Sequence, residues 1–280
     1  MFLASFSDYF SFALMWSRIP KLLSKIPITL ELAGLAFLVS LVLGLLIAVV
    51  RFKEIKGLTQ IAKVFLSIIR GTPMLIQLYV AYYGIPAIIR LFGGDANLVP
   101  KIFYAFLALG IYQSAFTSET IRAAFISVNK GEIEAAHAMG MTYPQILFRI
   151  IIPEAAEVAV PGLVNSLIGL IKGTSLAFAC GVIEITAQAQ IISGRTYRYL
   201  EGYVALAIIY WVITFIIERL LKILEKHITI PDQVDSNKQS KFKKFIYKVL
   251  KKKDIEKEIL DEKDGDLDVA NQGVEEEIQQ

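Results

Sequence analysis

The chain has one cysteine, Cys180, and two histidines, His137 and His227, in 280 residues. A lone thiol cannot close an internal disulfide, and two histidines far apart without metal-ligand spacing do not make a metal centre. The order that cradles nucleotide phosphates, Gly, four residues, Gly-Lys-Ser/Thr, is missing. Lys172-Gly-Thr-Ser175 holds similar letters in the wrong order inside an apolar run, so nucleotide binding by this chain is excluded. No Ser/His/Asp or Cys/His arrangement offers hydrolytic chemistry. There is no internal repeat, and a net charge of only +3 does not point to nucleic acid. The segment from Met1 to Trp16 has no Lys or Arg ahead of its apolar residues and is interrupted by Asp8, which argues against a signal peptide.

Apolar sequence is what the chain has in excess: 55% of residues are hydrophobic, with a mean hydropathy of +0.55. These residues fall in runs long enough to cross a bilayer, which needs about 20 residues per helix. The pattern predicts an all-α membrane protein with five spans: Ile28 to Val50, Val64 to Leu91 with kinks at Pro73 and Pro86, Ile102 to Phe125, Pro161 to Ile183, and Val204 to Leu224. Residues 1–26 read as an interfacial amphipathic segment, with aromatics at positions 2, 6, 9, 10, 12 and 16. Residues 228–280 read as a cytoplasmic tail that is Lys-rich and then acid-rich. It is either solvated and largely disordered or, through Phe242, Phe245, Ile246, Val249 and Leu250, a helix on the membrane surface.

Orientation rests on the basic flanks. Arg51, Lys53, Lys56 and Lys63 mark the first loop as cytoplasmic, and Arg122, Lys130 and Arg149 mark the loop after the third span. With Arg219, Lys222 and Lys226 they place the N-terminus outside and the C-terminus in the cytoplasm, whereas Arg18, Lys21 and Lys25 argue the reverse.

The most specific feature is the polar loop at about residues 129–153. Asn129 with Glu132 and Thr142 with Gln145 each have capping-box spacing, Gly140 can end the first helix, and Pro144 suits the first turn of the second. Ala135, Ala136 and Ala138 leave the first helix thin on one side, suited to a partner's groove.

Glu134-Ala-Ala136, three residues, Gly140, nine residues, then Ile150-Ile-Ile-Pro153 resembles the EAA loop of permease subunits of binding-protein-dependent ABC importers. Arg70-Gly-Thr-Pro73 with Gln77, Ser114 to Glu119 with Ile121-Arg122, and Lys172-Gly-Thr-Ser-Leu176 with Gly181-Val182 are similar to the polar-amino-acid branch of that family, over roughly Pro27 to His227. The resemblance implies a type I importer permease domain over residues 27–227 in the cell membrane, acting by alternating access. It implies a second permease subunit, identical or paralogous, two cytoplasmic ATPase subunits that bind ATP and Mg, and an external solute-binding protein. The chain itself carries no cofactor and is not an enzyme on this reading. Glu134, Ala135, Ala136 and Gly140 would couple to the ATPase. Ile152 stands where the family usually has Leu, and Gly173 where Asp is common. Ile26 to Leu30 and Thr174 to Phe178 look most like cystine-type permeases, so a neutral or zwitterionic amino acid is the expected solute, with basic amino acids as the alternative. A channel or secondary transporter is a more distant reading, and a membrane enzyme more distant still.

Polar groups inside spans are costly unless they meet a partner or water, which makes them solute-site candidates. Glu119 is expected to receive the solute ammonium near mid-membrane, with Gln77, Asn165 and Ser166 donating to its carboxylate and Thr174 and Ser175 farther along. Each has a structural alternative: Gln77, Asn165 and the hydroxyls as interhelical hydrogen-bond partners, and Glu119 as the counter-ion of Lys172 or Arg122.

Overall fold

The computed structural model describes residues 10–228. Among them every regular element is helical: α1 (Phe12–Leu23), α2 (Ile26–Phe52), α3 (Leu58–Gly71), α4 (Met74–Leu91), α5 (Lys101–Ser127), α6 (Lys130–Ala138), α7 (Tyr143–Ile146), α8 (Ile152–Gly173), α9 (Ile185–Thr196) and α10 (Tyr199–Ile228). A π-type turn over Leu147–Ile151 joins α7 to α8, and a 3-10 segment, Thr174–Cys180, extends α8. Prolines set several starts. Pro27 lies in the first turn of α2, and Pro73 and Pro100 cap α4 and α5 in extended conformation, because a helix start needs no N–H from these positions and suits the fixed proline φ.

Among the described residues, three helices can cross a membrane by length and composition: α2, α4 and α10. A fourth candidate is the stretch Tyr143–Cys180 paired with α9, bent by 51° at the break between them. Helix α5 is as long as α2, at 27 residues, but carries a polar stripe that is turned inward. It is the central element, packed on α2, α4 and α8.

The α2–α5 seam follows from small residues. Ala33, Ala36, Ser40, Gly44 and Ala48 recur every three or four positions on α2 and are buried. At the facing Gly110 of α5, an added Cβ would lie 2.6 Å from Val39 and 2.9 Å from the Ala36 carbonyl, so only glycine allows this approach. In hydrocarbon, where apolar burial brings little, such backbone proximity supplies the dispersion contacts that hold helices together.

Two expectations are corrected. The second span is not one kinked helix from Val64 to Leu91 but two, α3 and α4, separated at Thr72-Pro73, while Pro86 stays inside α4. The fourth does not start at Pro161; α8 begins at Ile152 and contains Pro161, since the turn upstream is already helical. The N-terminal amphipathic helix starts at Phe12, with Ser11 as its cap, and residues 1–9 lie outside the described part, as does the tail from residue 229.

Arg18, read as a flanking charge, is buried in α1. It donates to Ser193 Oγ (3.2 Å), Arg198 O (2.6 Å) and Thr196 Oγ1 (2.8 Å), fastening the C-terminal end of α9. At the other end of α9 the buried Glu184 accepts from Ala187 N (2.8 Å) and from the Tyr210 hydroxyl (3.0 Å). Helix α9 is thus held at its C-terminal end from α1 and, at the bend before it, from α10. Neither Glu184 nor Tyr210 stood out in the sequence, because their partner lies on another helix.

Candidate functional site

The loop between α5 and α8 is built by local rules. Asn129 Oδ1 caps α6 by accepting from Gly131 N (2.9 Å), without the reciprocal contact from Glu132 expected of a capping box. Helix α6 ends in a Schellman arrangement: Gly140 N donates to His137 O (2.9 Å) and Met141 N to Ala136 O (3.1 Å), with Gly140 at φ +79°. That left-handed conformation is natural to glycine. The box at α7 forms as expected, with Thr142 N donating to Gln145 Oε1 at 2.8 Å. Glu134, Ala135 and Gly140 are exposed and form an outward face with Met139, but Ala136 is buried against its own protein, so the thin side is narrower than the alanine run implied.

Glu119 is fully engaged. Arg51 Nη1 donates to its Oε1, Arg122 Nε pairs with its Oε2 at 3.0 Å, and Arg70 Nη2 approaches Oε1 at 3.6 Å. Arg70 also donates to the Ala115 carbonyl (2.6 Å) and lies over the Phe116 ring at 5.6 Å. Three guanidinium groups around one carboxylate leave an excess of two positive charges. Lys172 is not among its partners. Of the alternatives weighed for Glu119, pairing with Arg122 is the one present, and Arg51 and Arg70 join it from helices that sequence spacing could not relate.

Beside this cluster a cavity of about 470 Å³ opens between α4, α5 and α8. Asn165, Ser166, Gly169 and Leu170 form one wall, Tyr112, Gln113 and Phe116 the facing one, and Met74 its edge. Asn165 and Ser166 thus converge as expected, and neither has a hydrogen-bond partner among the described residues through its side chain. Tyr112, Gln113 and Phe116 were missed. Gln113 carried a usable signal, an amide within an apolar stretch, whereas the aromatics are indistinguishable in sequence from lipid-facing ones.

The other candidates are elsewhere. Gln77 Nε2 donates to Ile69 O (2.7 Å), Thr72 O (3.2 Å) and Thr72 Oγ1 (2.6 Å), so it caps α3 across the Pro73 break. Thr174 is buried with its hydroxyl on Ile171 O (2.7 Å), and Ser175 follows it in the 3-10 segment; neither lines the cavity.

Residues 40–230 match the family described as binding-protein-dependent transport system inner membrane component. A probable amino-acid ABC transporter permease of Vibrio harveyi is 37% identical over 211 residues, 75% of this chain and 93% of that protein. An L-cystine transport system permease of Bacillus subtilis (strain 168) is 36% identical, covering 75% of this chain and 88% of the relative. Among solved structures, an amino acid ABC transporter crystallised with histidines superposes with a TM-score of 0.68 at 34% identity, over 78% of this chain and 99% of that one.

Proposed function

We propose a solute and a pathway for this chain from the premise that it belongs to the family of binding-protein-dependent transport system inner membrane components. It is an amino-acid ABC importer permease of type I fold, a membrane-embedded subunit of systems that work with an ATPase and a solute-binding protein. The solute we assign is cystine or another neutral, zwitterionic amino acid. It passes by alternating access between this chain and a second permease subunit, identical or paralogous. The N-terminus lies outside and the C-terminus in the cytoplasm; burial of Arg18 within the protein removes one of the charges that argued otherwise. The loop carrying α6 and α7 then docks on one of two cytoplasmic ATPase subunits, which bind the ATP and Mg that this chain does not.

The observation that carries the reading is the cavity with unpaired Asn165 and Ser166 beside an arginine cluster. An amino acid brings an ammonium and a carboxylate that must both be met out of water. Amide and hydroxyl oxygens and the face of Tyr112 suit the ammonium, and Arg70, over the Phe116 ring, suits the carboxylate. The excess positive charge nearby disfavours a basic side chain, which places neutral solutes ahead of arginine-like ones.

The test is uptake by the complex, reconstituted with its ATPase and binding protein, of labelled cystine, a neutral amino acid and arginine. ATP-dependent uptake of the first two in preference to arginine is expected. Preference for arginine would overturn the solute, and uptake without ATP would overturn the importer mechanism.

A further inference from the structure

Helices α2 and α3, with Ile111 of α5, enclose a groove of about 380 Å³. Leu46 and Val50 of α2, Leu58, Ile61 and Phe65 of α3, and Ile111 of α5 line it; all are apolar, and Leu46, Leu58 and Ile61 are more than 40% exposed. The groove runs to the α2–α3 turn, where Lys53 and Lys56 are exposed, with Lys63 exposed on α3. None of the three lysines pairs with an acid among the described residues. Glu54 is the single acid on the turn, so lysines outnumber it, and Arg51 is already held by Glu119.

An apolar slot ending in free ammonium groups matches a molecule with a hydrocarbon chain and an anionic head. We propose that the α2–α3 groove is a binding site for an anionic phospholipid, with one acyl chain in the slot and its phosphate at Lys53 and Lys56. A second copy of the chain is a poorer occupant, since bringing the same face across would set like-charged turns against each other. The lipid's place has a consequence for the arginine cluster. Arg51 stands on α2 and Arg70 on α3, so an occupant between these helices sets the spacing of two of the three groups that hold Glu119. The inference rests on the proposed function only for assigning the headgroup to the cytoplasmic leaflet.

The experiment uses the assembled permease–ATPase complex in bilayer discs of phosphatidylcholine and phosphatidylglycerol, extracted for native mass spectrometry. Preferential retention of phosphatidylglycerol is expected, reduced roughly tenfold or more by Lys53→Glu with Lys56→Glu. Both positions are exposed, so the folded complex is retained as a control. Equal retention of the two lipids, or retention unaffected by charge reversal, overturns the proposal. So does a disulfide between two copies of Leu46→Cys in a Cys180→Ala background, which would show the groove covered by a second subunit. Solute preference, measured separately in uptake, distinguishes failure here from failure of the functional reading.

Discussion

The Glu119 cluster and the Asn165 cavity meet at one residue, Phe116, which lines the cavity and carries the Arg70 guanidinium on its ring, yet their polar groups are used in opposite ways. Around Glu119 both carboxylate oxygens are taken, by side chains from α2, α3 and α5. Around Asn165 the side-chain amide and the Ser166 hydroxyl have no hydrogen-bond partner among the described residues. A polar group inside a helix bundle is satisfied by something. Where the protein supplies the partner, the group fixes helix positions; where it does not, the group is open to water and solute. The carboxylate, chemically the more conspicuous of the two, belongs on this reasoning to the frame, and the amide to the passage.

Three substitutions separate frame from passage. The largest effect is expected from Glu119→Gln, which leaves three guanidinium groups without an anion. Breaking a fully buried pair costs about 3–5 kcal/mol, and partial solvent access here lowers this to roughly 2 kcal/mol. The complex should lose thermal stability and assembly, measured by unfolding temperature and size exclusion, along with uptake. A variant as stable as the parent but unable to take up solute would return Glu119 to the passage. Asn165→Ala should behave in the opposite way, with unchanged stability and a solute affinity in uptake weaker by roughly tenfold, the worth of about one hydrogen bond to a charged group. Parental uptake by that variant would remove Asn165 from the solute site. The smallest effect is assigned to Gln77→Ala. Losing the cap on α3 should cost about 1 kcal/mol of stability at unchanged solute affinity, and a selective loss of affinity would place Gln77 in the passage after all.

Much of the helical layout was readable without a structure. Ile28 to Val50 became α2, Ile102 to Phe125 became α5, and Val204 to Leu224 lies within α10. The box from Thr142 to Gln145 and the turn at Gly140 were readable too, because capping contacts span three or four residues and leave their chemistry at fixed spacing. The candidate site was read less well. Arg51 and Glu119 are separated by 68 residues, so nothing local said that a loop-marking arginine would turn inward. Gln77 was judged from its position in an apolar run, yet the break at Pro73 created unpaired carbonyls within its reach, and it satisfies those first.

The sequence by itself determined that this protein is helical, crosses a membrane, carries a loop with two short capped helices and belongs with amino-acid importer permeases. These properties reside in apolar run length, proline and glycine positions and spaced motifs, all of which act within a few turns of chain. The tertiary structure alone decided which polar groups were consumed and which were left open. Helix packing brought Arg51 and Arg70 from α2 and α3 to Glu119, put Arg18 under α9, and left Asn165 and Ser166 facing a cavity. A hydrogen bond depends on distances of about 3 Å between atoms, and only the packing of α2, α3, α4, α5 and α8 sets those.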